Sequence, residues 1–528
     1  MAAAMGIWSR NQSMGWAALV LGASILLSRF MGLIRDKIVS YFFGASLESD
    51  LYFAAFVVPD FINYLLAGGY FSITLIPLLA RYFETDEEDG WRFFSTVLAW
   101  LTLAVTPITA AAMIFAPFLA RLAAPGLDPP QWERLALFLR IILPAQICFL
   151  TGSCFTALLY LRRQFAVPAL TPLVYNLFII AGGVWLKDRG MEGFCWGVLG
   201  GALAGNLLLP AVAAWKGGGV RLRLSFAHPG LGAFVLLALP LMVGQSVVVL
   251  DEQLVRVFGS LAETGAVSWL NYARRIMLVP VGVVAQAAGV ASYPFLAALA
   301  ARGDFSAFHE TLRTALRNTA ILLVPLSAWM AVAAEPAVRI IFQQGHFDAQ
   351  DALRTAGLLR ILSTVVFCWG IQQVLSRGFY ALRDTVTPAI VGTLATLAAV
   401  PVFWILGRRW GATGVAWASV SGMAFYTLTL SAVWCGRVGS EAFRGMGKVL
   451  AAGGVFAVAA CLPAYGCARW LGGLAGGHPY TGALLALGGS GTVFVLTFSG
   501  LSLLWAPFLT EPLREKGRAL SLRLSRKR

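Results

Sequence analysis

Arginine is the residue type on which chemistry in this chain must rest. Arg29 lies well inside the first apolar block, in Ser28-Arg29-Phe30-Met31-Gly32-Leu33-Ile34-Arg35-Asp36. A second group, Asn271-Tyr272-Ala273-Arg274-Arg275, opens a later apolar block and is followed by Pro280 and the small-residue run Gly282–Ser292. An ionisable group at bilayer depth costs roughly 2.5–3.5 kcal/mol on insertion scales, so each needs a physical reason. Two adjacent arginines cannot both face lipid cheaply, and at least one should enter a cavity or pair with an acid. The guanidinium fork matches carboxylate and phosphate oxygens in pairs. Arg29, Arg35, Arg274 and Arg275 together would make a strongly positive interior, suited to an anionic substrate and to phosphate in particular. A pyrophosphate-linked lipid is the natural candidate, with other anions left open. The plainer alternative has Arg29 snorkelling to headgroups, with Arg35 and Asp36 interfacial. On a continuous helix, Arg29 and Asp36 are seven apart and share a face.

The acids are fewer. Asp251-Glu252-Gln253-Leu254-Val255-Arg256 follows the uncharged stretch Leu231–Leu250. Glu252 and Arg256 have the spacing of a helical ion pair, which leaves Asp251 over, near an interface. Asp384 follows Arg377-Gly378-Phe379-Tyr380-Ala381-Leu382-Arg383. Asp251 and Asp384 are candidates to share a monovalent coupling cation; the alternative is capping or salt bridging. Asp60, Asn63 and the pair Gly68-Gly69 interrupt the second apolar block and suggest a bend or close packing. The cluster Glu84–Asp89 reads as a solvated loop without a specific role, and the glycines of 472–477 as another loop. Seven cysteines (148, 154, 195, 368, 435, 461 and 467) and four histidines are scattered without ligand spacing. The cysteines read as small buried hydrophobes, and neither a metal nor another cofactor is expected. Nucleophile elbow, P-loop and paired catalytic carboxylates are all missing, so the chain is not expected to be an enzyme.

The elements that must position these residues follow from composition. Of 528 residues, 59% are hydrophobic and only 12% charged, and mean hydropathy is +0.76. Soluble chains carry roughly a quarter charged residues. No stretch here is polar enough to coat a soluble domain. The apolar residues form about fourteen blocks, each near the roughly 20 residues a spanning helix needs. They lie near 14–43, 50–80, 93–119, 134–160, 166–186, 193–215, 230–259, 266–297, 309–333, 353–381, 387–407, 412–436, 447–470 and 481–507. An all-α polytopic membrane protein is predicted. The first block starts too late and runs too long for a cleaved signal peptide. An even count places both termini on one side, and Lys and Arg are in excess in the tails and the loops of that side. The positive-inside rule therefore makes both termini cytoplasmic. The net charge of +15 reports this topology and contact with anionic headgroups, and no nucleic-acid partner is expected. The basic tail Arg514–Arg528 is read as interfacial.

An internal repeat organises the blocks. Tyr160-Leu161-Arg162-Arg163, followed by Pro168-Ala169, returns as Tyr380-Ala381-Leu382-Arg383, followed by Pro388-Ala389. With a one-residue slip, Gly193, Trp196 and Gly201 return as Gly414, Trp417 and Gly422. Pro77-Leu78-Leu79-Ala80 is weakly echoed by Pro294-Phe295-Leu296-Ala297. The repeating unit is six helices, and an even unit repeats in the same orientation. This predicts six-helix lobes at 1–220 and 221–440, two further helices at 441–510 and a tail at 511–528. Two like-oriented lobes with substrate between them is a transporter plan.

Several of these strings resemble the MurJ/MviN family. They are Ser28-Arg29 with Arg35-Asp36; Phe43-Gly44-Ala45 with Asp50; and Pro59, Ala67, Gly69, Phe71 and Pro77 in order. Further on come Gly265, Ser268, Tyr272-Ala273, Arg275 and Pro280; then Gln344-Gly345 and Phe347; then Arg377, Tyr380-Ala381, Asp384 and Pro388. Joint order and spacing over roughly residues 25–425 carry the likeness. The resemblance implies a lipid II flippase of the MOP exporter superfamily, in the bacterial cytoplasmic membrane. Such proteins move undecaprenyl-diphosphate-linked peptidoglycan precursor to the outer leaflet by alternating access, driven by membrane potential or cations. The family's functional residues would fall on Arg29, Arg35, Asp36, Asp50 and Arg275, with membrane lipids and the cell-wall synthesis machinery as neighbours. This sequence departs from the family where Asn63-Tyr64 replace a basic residue or pair, Gly68 replaces an acid, and Glu252 replaces an arginine. Arg274 is extra, and is expected to stand in partly for the missing charge of the second helix; the alternative is a MOP-superfamily exporter of another polyprenyl-linked glycan, lipid or drug.

Overall fold

The computed structural model describes residues 14–67, 70–223, 225–243, 246–474 and 479–510. Among them every regular element is helical. Helix stands at each of the fourteen predicted intervals, in a less regular form than the pattern implied. Eight single helices among the described residues are long and apolar enough to cross a membrane, and a bent pair, Ala349–Ser363 with Val366–Ala381, makes a ninth. Other spans are broken. The second is Leu47–Ala54, Val57–Ala67 and Tyr70–Thr85; the seventh is Gly230–Val243 and Ser246–Gly259. The glycine pair 68–69 expected to bend the second span lies outside the described residues, as does the basic tail. The eleventh and twelfth spans are two helices within Val386–Arg437, separated at Gly411, whose backbone (φ 55°, ψ −137°) is not helical.

Proline and π-turns explain several of the breaks. Pro280 ends Ala266–Pro280, and a π-helical turn, Val281–Ala285, follows before Gln286–Arg302. A second π segment, Ala202–Leu208, interrupts the sixth span. Proline removes an i to i−4 hydrogen bond, and the backbone re-pairs with wider spacing nearby.

The chain divides into two compact units, one ending at Ser268 and the other beginning at Trp269. The first has a core of Leu75, Leu79, Phe93, Phe94, Leu158 and Leu159. Its helices approach closely through glycines: a Cβ on Gly152 would lie 1.8 Å from the Asn206 carbonyl oxygen, and one on Gly197 would lie 2.7 Å from the Ile179 backbone. Small residues at such crossings let backbones meet where lipid supplies no hydrophobic drive. In the second unit, Trp434 packs edge-on to Phe379 at 4.8 Å, and Ala457, Ala460, Ala464 and Phe494 join the last two spans. This division falls later in the chain than the repeat boundary near 220, so the seventh span belongs to the first unit.

The repeat has a conformational signature. Among the described residues, only Arg163 (φ 56°) and Arg383 (φ 62°) are non-glycine residues with positive φ, and they are related by the 220-residue shift. Each closes a helix with the same pair of turns. Arg163 N donates to the Tyr160 carbonyl and Gln164 N to that of Leu159; Arg383 N donates to Tyr380 and Asp384 N to Phe379. Gly190 (φ 64°, ψ −141°) and Gly411 (φ 55°, ψ −137°) match in the same way, one residue further on.

Two expectations for exposed segments change. Asp86, within the supposed solvated loop, caps Glu87–Ile114 by accepting from Glu88 N and Asp89 N, both at 3.2 Å. Its neighbours contact the polar segment before the seventh span: Glu88 pairs with Arg223, and Asp89 meets His228 at 3.1 Å. Acidic side chains at a helix start satisfy free N–H groups and the local dipole, which gives this cluster a structural role. Among the cysteines, Cys148, Cys154, Cys195 and Cys368 are buried as expected, but Cys435 is exposed on its helix.

Candidate functional site

The first span is one helix, Met14–Phe43, and it carries three of the predicted residues. Arg29 is exposed on it. Two turns on, Asp36 is 0% exposed. It is held by its neighbour: Arg35 Nη2 and Nε donate to the same Asp36 oxygen at 2.8 and 3.0 Å. Arg35 Nη1 reaches Asn176 Oδ1 on the fifth span at 3.3 Å. Arg35, half-buried, and Asp36, buried, are therefore a paired unit. The common face of Arg29 and Asp36 runs from an exposed position to a fully buried one.

Asp50 is also buried, and its carboxylate is occupied. One oxygen accepts from Gly265 N at 2.6 Å, and the other from Ser268 N at 2.8 Å and Ser268 Oγ at 2.6 Å. It thus caps the helix that starts at Ala266, from a distant part of the chain. This is capping geometry, not the open carboxylate a direct substrate contact would present.

A second charged cluster joins the second and seventh spans. Arg256 is 7% exposed. Its Nη1 donates to Asp60 Oδ2 at 2.7 Å and Gln253 Oε1 at 3.2 Å, and its Nη2 to Glu252 Oε1 at 2.5 Å. The helical pairing of Glu252 with Arg256 is present as the spacing predicted. The bond to Asp60, 196 residues away in sequence, has no sequence signal. Within this unit, Arg35 is paired with Asp36, and Arg256 with Asp60 and Glu252, so both arginines have carboxylate partners. The cation found against the second span is Arg256, whereas Arg274 lies in the other unit.

There, Arg274 is 4% exposed and stacks 5.4 Å from the Trp369 ring centroid, while Arg275 is half-buried. Asp384 has the contacts of a cap: it accepts from Thr387 N at 2.8 Å and Thr387 Oγ1 at 2.5 Å, with Arg437 at 3.6 Å. Asp251 is buried on the seventh span, in the first unit. No cluster of three or more metal-ligating side chains occurs among the described residues.

Bilayer-length helices with arginines and carboxylates buried among them define a polytopic helical membrane transporter. Solved structures share this architecture. A lipid II flippase MurJ in an inward closed conformation matches with TM-score 0.75 at 22% identity, covering 93% of this chain and 99% of that one. An inward-facing multidrug-resistance MATE transporter of the MOP superfamily matches with TM-score 0.63 at 14% identity, over 82% and 98%. A sequence model of the family described as "Lipid II flippase MurJ" matches residues 39–480, and the chain belongs to that family. A relative from Haemophilus influenzae, a probable lipid II flippase MurJ, is 29% identical over 70% of this chain and 76% of its own length. The lipid II flippase MurJ of Burkholderia cenocepacia is 27% identical over 70% and 74%.

Proposed function

We propose that this chain carries lipid II, the undecaprenyl-diphosphate-linked peptidoglycan precursor, from the inner to the outer leaflet of the bacterial cytoplasmic membrane by alternating access. The family match over residues 39–480 is the observation that carries this reading. Both termini are cytoplasmic in it, and the six-helix repeats 1–220 and 221–440 are the two lobes that rock. The substrate reaches the protein from surrounding membrane lipid and leaves toward the cell-wall synthesis machinery.

Arg29, Arg35, Arg274 and Arg275 bind the diphosphate, with Arg256 supplying the cation that Asn63 and Tyr64 do not. Arginine offers a diphosphate the same paired donors it gives a carboxylate. Asp36, Asp60 and Glu252 hold their arginines in position and compensate them while no substrate is present. The incoming diphosphate competes as an acceptor, so the pairs loosen as the substrate enters. Asp50 acts indirectly, by fixing the start of the helix that bears Arg274 and Arg275. Asp251 and Asp384 are the candidates for a coupling monovalent cation; the oxygens of Asp384 also serve Thr387 and Arg437, so a cation there would compete with those contacts.

The test is complementation of a bacterium depleted of its own lipid II flippase, with lipid II accessibility scored at the cell surface. The wild-type chain is expected to restore both growth and surface lipid II. Arg35→Ala and Arg275→Ala are expected to reduce surface lipid II by about tenfold at equal expression, the loss of a charge-assisted bond or more. Growth without surface lipid II would assign another substrate, and an Arg275→Ala variant equal to wild type would remove the arginine site.

A further inference from the structure

The last two spans lie outside the repeat, and the transport reading gives them no task. They complete a pocket of about 450 Å³ in the second unit, walled also by the end of the ninth span and by the tenth. Glu335, Arg339, Arg360, Tyr465 and Arg469 supply its polar wall, and small residues of the last two spans leave its volume open.

The charges in this wall do not balance. Glu335 is shared, with one oxygen 2.7 Å from Arg339 Nη2 and the other 3.3 Å from Arg360 Nη2. Arg469 rests 6.0 Å from the Tyr465 ring centroid, and no carboxylate among the described residues pairs with it. Arg339 Nε is buried with no hydrogen-bond partner among the described residues. Two guanidiniums thus share one carboxylate, a buried donor of Arg339 is unsatisfied, and the third guanidinium, Arg469, is exposed in the same wall. A site of this size and charge fits a small anionic group with several acceptor oxygens.

The setting selects the anion's carrier. Trp470 and Leu474 follow Arg469, Tyr480 follows Pro479 of the pocket wall, and all three are exposed. Aromatic side chains at helix ends mark the headgroup level of a bilayer. We propose that this pocket binds the phosphodiester headgroup of an anionic glycerophospholipid, its acyl chains lying along the apolar rim. Under the orientation given above, these helix ends face the outer leaflet. The pocket and its ligand are independent of the substrate that the protein transports.

The experiment uses the purified full-length protein in detergent micelles doped with phosphatidylglycerol or phosphatidylcholine, read by native mass spectrometry and thermal melting. Wild type is expected to retain phosphatidylglycerol about tenfold better than phosphatidylcholine, and to melt higher with it. Arg360→Gln combined with Arg469→Gln should abolish that preference while melting as wild type does in phosphatidylcholine. If the double variant does not fold, Arg469→Gln alone, at an exposed position with no salt bridge among the described residues, should still weaken the preference. Absence of preference in wild type, or its persistence in the folded variants, overturns the proposal. Inorganic phosphate at the same concentration should cause no shift; a shift equal to that of phosphatidylglycerol would assign the pocket to a soluble anion instead. Neither readout involves lipid II, so the outcome stands apart from the complementation test.

Discussion

Arg256 shows how a charge is kept inside an apolar bundle: it is surrounded by acceptors before any substrate arrives. Two carboxylates and an amide oxygen accept from its Nη1 and Nη2, while its buried Nε has no hydrogen-bond partner among the described residues; the carboxylates themselves keep partial access, at 36% for Asp60 and 34% for Glu252. Removing one member of a fully buried pair costs about 3–5 kcal/mol, because the other charge is left uncompensated. Partial exposure of the acids reduces this, so Arg256→Ala should destabilise the protein by about 2 kcal/mol. Thermal melting in detergent measures it, and Asp60→Asn added to Arg256→Ala should recover part of the loss. A melt unchanged by Arg256→Ala would show that the cluster contributes nothing to stability. Asp50 is a different kind of acid. Its bonds go to the N–H groups of Gly265 and Ser268, so Asp50→Ala should cost about 1 kcal/mol, the usual value of an N-cap. Sequence reading found Arg35, Asp36 and Asp50 as residues but not their partners, because Asn176, Gly265 and Ser268 carry no local pattern that points back to them.

At the scale of elements, the two turns at Arg163 and Arg383 repeat each other in backbone conformation and in hydrogen bonding. Helices commonly end with a left-handed residue, usually glycine, because a Cβ there crowds the following carbonyl oxygen. Both arginines are exposed, so little packing repays that crowding. Arg163→Gly and Arg383→Gly are each expected to stabilise the protein by about 1 kcal/mol. Their effects should add, since the turns are in separate units. A lowered melting temperature in either variant would mean that the arginine side chain has a bonding role the turn geometry does not require. The sequence echo disclosed the repeat but not this conformation, since arginine is an unusual residue for it. Breaks in the spans were equally hard to read. Hydrophobic blocks give the length of a crossing, whereas a π-turn such as Ala202–Leu208 depends on how neighbouring backbones meet, here Gly152 against Asn206.

For the whole molecule, orientation is the property that charge distribution controls most directly. The excess of Lys and Arg on one set of loops and in the tails predicts that a green fluorescent protein joined to the C-terminus will fluoresce, and that alkaline phosphatase joined there will be inactive. The reverse pattern would invert the topology and move the arginine pocket of the last two spans to the inner leaflet.

The sequence by itself determined the class. Scarcity of charge over hundreds of residues admits only a helical membrane protein, since backbone groups in lipid must be paired within their own segment. Ordered motifs from Ser28 to Pro388 were enough to indicate the family, because they depend on residue type and spacing alone. Tertiary structure decided what the charges do. Asp50 and Asp384 became caps, Arg35 the partner of a fully buried Asp36, and Asp60 the partner of an arginine 196 residues away. Such assignments rest on distances between helices. Coulomb and hydrogen-bond energies fall off over a few ångströms, a scale on which position along the chain carries no information.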